Sequence, residues 1–216
     1  MASRESVAAL AGRAAELGQV RRVVHTAGLS PVQAPVPAVL AVDLLGVALV
    51  LEEFGTVVAD GGAGLVIASM AGHFHPPFAA EDARQLATAP ADELLSLPIA
   101  AASNFADSGH AYAFAKQANV LRVQAASSAW GERGARVNSI SPGVIATPMT
   151  HAELSGENGA AMQAMIDASN ARRLGTPADI AAAAEFLLSP AASFISGTDL
   201  LVDGGVTAAV RSCRLG

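Results

Sequence analysis

A single cysteine, Cys213, rules out an internal disulfide and fits a reducing cytosol. Aromatic residues make up only 4% of the chain, with one tyrosine, Tyr112, and one tryptophan, Trp130. Charged residues are 15%, the net charge is −6, and no basic run occurs. That balance argues against nucleic acid or an anionic membrane surface as a partner. No apolar run reaches about 18 residues without a charge, so no transmembrane helix is expected. The opening residues Met1 to Glu5 lack the hydrophobic core of a signal peptide. A cytoplasmic protein is therefore expected, and no metal site.

What is present is apolar. Hydrophobic residues are 52% of 216, and the mean hydropathy is +0.41. A chain of this length can bury one sizeable core, so one domain is the expectation. The hydropathy points to a heavily buried sheet or a large subunit interface.

Helix and strand signals alternate along the chain. Ser3 or Ser6 caps a first helix that Gly18 stops. Arg21 to His25 reads as a buried strand ending in the turn Thr26-Ala27-Gly28. A long helix runs from about Ala38 to Ala59, and Asp60 to Gly64 breaks it. Leu65 to Ser69 is a second strand. Residues 72–109 hold four prolines and read as an excursion over the surface, not core. A helix from Gly109 to Trp130 follows, then a strand from Ala135 to Ile140 and the turn Ser141-Pro142-Gly143. Thr147 to Gly159 reads as a mobile segment, followed by a helix to Asn170. Thr176-Pro177 opens a helix to Leu188, and Thr198 to Val202 is a fourth strand. This order, without close hairpins, predicts an α/β fold with a doubly wound parallel sheet.

Tyr112 and Lys116 stand four apart on one helix and so share a face. A free phenol near pKa ~10 exchanges protons poorly at neutral pH, and a nearby ammonium favours its ionised form. The pair can act as general acid or base toward an alcohol or carbonyl. Taken alone, such a pair is more often a solvated helix face. The loops after the strands of a doubly wound sheet are where ligands bind, and His25-Thr26-Ala27-Gly28, Ser69 and Pro142-Gly143 all fall there.

Together these blocks resemble the short-chain dehydrogenase/reductase family across essentially the whole chain. Thr26-Ala27-Gly28 is similar to the end of its Asn-Asn-Ala-Gly turn. Ile67 to Gly72 resembles the strand bearing its catalytic serine. Tyr112 to Lys116 is similar to its Tyr-x-x-x-Lys pair. Arg136 to Pro148 and Ser196 to Gly205 resemble its later blocks. The resemblance implies reversible oxidation of a small alcohol to a carbonyl with NAD or NADP, in a Rossmann-like fold and a homo-oligomer. It assigns proton transfer to Tyr112 and places Lys116 beside it and on a cofactor ribose. Ser69 would bond the substrate oxygen. Ala27 and Gly28 would meet the cofactor, and Pro142, Gly143, Ile145 and Thr147 would line the nicotinamide.

Three departures from the family pattern stand out. The active-site asparagine falls on Asp43, which cannot donate a hydrogen bond when ionised. Between Ser69 and Tyr112 lie 42 residues, more than the family has, so 73–107 reads as an insertion on the substrate side. It is expected to be mobile without substrate. No Gly-x-x-x-Gly-x-Gly turn precedes the first helix, so weak dinucleotide binding is expected. The rival reading is a non-catalytic, oligomer-forming core that binds no dinucleotide; a natural protein longer at its N-terminus is a third. The helices 112–130 and 38–59, apolar on more faces than a sheet can cover, are expected to form a subunit interface.

Overall fold

A computed structural model describes residues 2–32, 34–156 and 159–212. Cys213 lies outside the described residues. Helix α1 (Arg4–Leu17) is capped by Ser3, whose side chain accepts from the Ser6 amide, and ends at Gly18. It leads into β1 (Val20–His25). One continuous helix follows in three parts: α2 (Val36–Val39), a π-helical turn (Leu40–Leu45) and α3 (Gly46–Val57). Next come β2 (Val58–Ile67), α4 (Ala80–Thr88) and α5 (Ser108–Glu132). Then β3 (Arg136–Pro142), α6 (Pro148–Leu154), α7 (Gly159–Ala168), α8 (Pro177–Leu188), β4 (Asp199–Val202) and α9 (Val206–Arg211) complete the order.

All strand pairs are parallel, in the order β1-β2-β3-β4. Register sets His25 beside Val66, Ile67 beside Ile140 and Pro142 beside Val202. The carboxyl ends of all four strands therefore reach one edge. One face of the sheet packs Val23, Val66 and Val137 against α1, α3 and α5. The other packs Leu65 and Ile140 against Leu187 of α8. The expected doubly wound parallel sheet is the observed one. Among the described residues β1 is an edge strand, with Val24 48% exposed.

Three segments differ from the sequence reading. First, β2 begins at Val58 and runs through the glycines expected to lie outside any strand. The register jumps between Val20/Val58 and Arg22/Ala63, with Gly61 at φ +69°, so the surplus residues bulge out. Second, the described part of 147–159 is not structureless: Thr147 caps α6, and its hydroxyl accepts from the Thr150 amide at 3.3 Å. A threonine followed by proline at the first helical position carried that signal.

Third, the excursion between Ser69 and Tyr112 contributes to the core. Leu86, Ala91, Leu94 and Ala100 are buried in the main cluster. Arg122, 5% exposed on α5, donates to the Leu86 carbonyl at 3.0 Å and the Ala89 carbonyl at 2.9 Å. Glu52 of α3 accepts from the Ala91 amide, from Arg122 and from Arg4 of α1. Apolar side chains spaced along short helical turns, rather than one long periodic run, hid this packing from sequence. The same packing covers, within one chain, much of the apolar excess on α3 and α5 from which a subunit interface was expected.

Leu86 has no exposed surface, and truncating it leaves a cavity between α4 and α5. Leu86→Ala is expected to cost about 3 kcal/mol of unfolding free energy, read by urea denaturation. A loss under about 0.5 kcal/mol, the size of a surface change, would mean that the excursion is not part of the core.

Candidate active site

The Tyr112–Lys116 pair sits in the first third of α5, which Asp107 starts by accepting from the His110 amide at 2.8 Å. Lys116 is 4% exposed, and its ammonium lies 5.2 Å from the centre of the Tyr112 ring. The same ammonium donates to the Ile67 carbonyl at 3.4 Å and meets Asp43 Oδ1 at 3.3 Å. Asp43 has no exposed surface. Both its carboxylate oxygens accept from the Leu29 amide at 3.2 Å. Burial pushes the Asp43 carboxyl above the usual carboxylate range, against the pull of Lys116 and the Leu29 amide.

Local backbone geometry makes this convergence possible. Asp43 lies in the π-helical turn, where the Gly46 amide reaches back to the Ala41 carbonyl. Such turns are inserted into helices mostly at functional places. The Asp43 carbonyl accepts from Asn119 Nδ2 at 2.9 Å, which ties the turn to α5 one helical step beyond Lys116. Gly28 follows β1 so closely that a Cβ there would lie 2.7 Å from Asp43 Oδ1 and 3.5 Å from Lys116 Nζ. Gly72 meets α5 in the same way: its Cβ would stand 2.7 Å from the Gln117 amide nitrogen. That contact seats the turn after Ser69 against α5 at Lys116.

The sequence-derived residues fall into two groups. Gly28, Asp43, Tyr112 and Lys116 form one cluster, with the Ser69 turn packed beside it. Ser69 is half-buried at the end of β2, and its hydroxyl accepts from the Ala71 amide at 3.2 Å, capping a short 3-10 turn (Met70–His73). Ala27 is half-buried in the turn after β1. Pro142 and Gly143 end β3 on the same edge. Gly143 and Ile145 line a cavity of about 180 Å³ with Asp203, Arg173 and Gly175. The Tyr112–Lys116 cluster is not part of that lining. Thr147 stands further along, at the start of α6.

Sequence reasoning placed His25 at the ligand-binding edge without giving it a role, and missed Asn119. His25 is 4% exposed at the end of β1, and neither ring nitrogen has a hydrogen-bond partner. Burial, with the nearby Lys116 charge, lowers its pKa to about 4. The only advance signal was an imidazole in an apolar strand. Asn119 was visible as a polar residue seven after Tyr112 on the same helical face.

A parallel sheet with a buried lysine and a phenol at the carboxyl ends of β1 and β2 fits a doubly wound α/β oxidoreductase scaffold. The chain belongs to the short-chain dehydrogenase/reductase family. A family model described as enoyl-(acyl carrier protein) reductase matches residues 76–207. A short-chain dehydrogenase/reductase from Alternaria brassicicola is 38% identical over 96% of this chain and 76% of its own length. The 3-alpha-hydroxysteroid dehydrogenase/carbonyl reductase of Comamonas testosteroni is 31% identical over 88% of this chain and 73% of its own. The crystal structure of 3-alpha-hydroxysteroid dehydrogenase from Pseudomonas sp. B-0831, complexed with NADH, superposes with a TM-score of 0.81. It is 29% identical, covering 97% of this chain and 81% of that one. Nicotinamide dinucleotide is the family's cofactor.

His25 stays neutral in the fold down to about pH 4, whereas the unfolded chain protonates it near 6.5. The unfolded state therefore binds the extra proton between those values, and the His25 contribution is lost as pH falls through them. The 2.5-unit gap from 6.5 to about 4 corresponds to about 3 kcal/mol. Asp43, shifted upward, acts in the opposite sense, so the comparison must be between variants. His25→Asn is expected to lose less stability than wild type on acidification across this window, by urea denaturation at each pH. Parallel stability curves would contradict the burial argument.

Proposed function

We propose that this chain interconverts a small-molecule alcohol and its carbonyl with NAD or NADP, using Tyr112 as the proton-transferring residue. The observation that carries this reading is the placement of the phenol beside a buried, charged Lys116 at the carboxyl edge of a parallel sheet. When bound, the nicotinamide supplies or accepts the hydride. Tyr112 gives a proton to the substrate oxygen in reduction and takes it in oxidation. Ser69, at the end of β2, donates a hydrogen bond from its hydroxyl to the same oxygen as charge develops there. Its oxygen already accepts from Ala71, so the proton remains available.

The residues present fit the nicotinamide end of such a cofactor. An ammonium has three N–H donors. Two of those of Lys116 point to Asp43 and the Ile67 carbonyl, which leaves the third for a ribose hydroxyl. Gly28 lets the turn after β1 close onto this cluster, where a side chain would strike Asp43. Pro142, Gly143, Ile145 and Thr147 supply the wall on the β3 side, with Ala27 at the turn after β1. Residues 73–107 border the substrate side and set what enters.

Among the described residues no strand, Gly-rich turn and helix are present to take the pyrophosphate, so this chain is expected to hold the dinucleotide weakly. A non-catalytic core is the rival reading, and NADH or NADPH fluorescence titration separates them. A homo-oligomer in the cytoplasm completes the proposal.

Tyr112→Phe removes only the phenolic hydroxyl. Turnover with NAD(P)H and a carbonyl substrate is expected to fall by at least about 100-fold, with NAD(P)H affinity unchanged. Equal turnover in the two proteins would remove Tyr112 from the mechanism.

A further inference from the structure

We propose that Asp43 is a positioning residue that neutralises Lys116 and so holds Tyr112 in its proton-donating form, poising the site for carbonyl reduction over alcohol oxidation. The inference rests on the reading of Tyr112 above and adds a direction to it.

The geometry is that of a closed pair. Lys116 and Asp43 have side chains 5% and 0% exposed, and their charged atoms are 3.3 Å apart. Water does not screen charges so enclosed, and each acts on a neighbour through the other. A lone ammonium 5.2 Å from the phenol ring would favour the phenolate. Lys116 and the Leu29 amide oppose the burial that raises the Asp43 pKa. The ionised carboxylate, 3.3 Å from the ammonium, offsets its pull on the phenol, because Tyr112 then faces a pair of zero net charge. An asparagine at position 43, the residue that the family pattern expects there, could not do this.

Few other charges reach the pair among the described residues. His25 faces it from β1 and is neutral at pH 7, because burial lowers its pKa to about 4. From α5, Tyr112 faces the pair, Arg122 of the same helix is paired with Glu52, and Asn119 is uncharged. The remaining imidazoles near α5 are otherwise engaged. His73 Nε2 bonds Asp199 at 2.9 Å, His75 Nδ1 bonds Gln117 Oε1 at 2.9 Å, and His110 packs edge-on to Phe105. The acidic groups of α3, Glu52 and Glu53, are tied to Arg4 and Arg122. Glu153 of α6 accepts from the Ser30 hydroxyl, and among the described residues Asp43 is the carboxylate that pairs with Lys116.

The direction of catalysis follows. Reduction needs a neutral phenol to give its proton to the substrate oxygen. Oxidation needs a phenolate to take that proton. With the pair neutral the phenol persists to higher pH, so reduction spans neutral pH and oxidation is pushed toward alkaline pH.

Tyr112 is the single tyrosine of the chain, so its ionisation is read directly from the ultraviolet phenolate band, without cofactor or substrate. In Asp43→Asn the band is expected to appear at a pH lower by about one unit or more. The pH optimum for alcohol oxidation should move down with it. An unmoved or upward-moving band would overturn the proposal. Lys116→Met tests the same point if the first variant fails to fold. Without Lys116 the buried Asp43 takes up a proton, so the surroundings of Tyr112 stay neutral and the band should move by less than about half a unit. An upward move of about one unit or more would show an uncancelled lysine and overturn the proposal. Because the band needs no turnover, a chain without activity still reports the state of the charge pair. Loss of the proposed function is read separately, from Tyr112→Phe.

Discussion

The buried charge of Lys116 is the constraint around which the rest of the site is built. Removing an ammonium from water costs several kcal/mol unless partners replace the hydration. Here the replacements come from three directions: the Asp43 carboxylate, the Ile67 carbonyl and the face of the Tyr112 ring. Through them Lys116 fixes β2, α5 and the π-helical turn relative to one another. Asp43 needs Lys116 in return. Its own burial raises its pKa, and only Lys116 and the Leu29 amide oppose that.

That mutual need explains backbone features which otherwise look unrelated. The π-helical turn turns Asp43 inward where a regular helix would carry it past Lys116. Position 28 is a glycine because a side chain there would strike the carboxylate. Position 72 is a glycine because the Ser69 turn must lie flat on α5. The His73 imidazole then anchors that turn from its far end. Asp199 accepts from Ser139 Oγ at 2.6 Å and bonds His73 at 2.9 Å, linking β3, β4 and the turn after Ser69. The serine proposed to face the substrate is thus held by its own sheet and by the helix of its partner tyrosine.

Much of this was legible in the sequence, and the divide has a physical basis. Helix α5 and its Tyr112–Lys116 face follow from local periodicity, which sequence records directly. So does α8, whose Thr176 and Asp179 form a reciprocal cap. The parallel sheet followed from the alternation of elements. What stayed hidden depends on tertiary distance. Ile67 contributes through its carbonyl, a group every residue owns. His25 matters because α5 brings Lys116 near it. The region 73–107 read as surface because prolines interrupt its periodicity, yet Leu86 and Leu94 are wholly buried. Asp43 was visible as a departure from a family pattern, but its effect depends on a 3.3 Å approach that no spacing encodes.

The packing of 73–107 also bears on how the site is enclosed. Arg122 spans from α5 to the carbonyls of Leu86 and Ala89, and Glu52 closes the circle from α3. These bonds hold the base of the excursion from beneath. On its upper side, His75 bonds Gln117, the residue after Lys116, and Phe78 packs edge-on to Phe114, two residues after Tyr112. The excursion is therefore anchored at several points to the helix that carries the proposed proton donor. A segment fixed in this way shapes a pocket by its side chains more than by opening and closing. The rings of His75, Phe78 and Phe105 close on Phe114, with His110 against His75 and Phe105, so the segment is held to α5 by its own aromatic and imidazole groups.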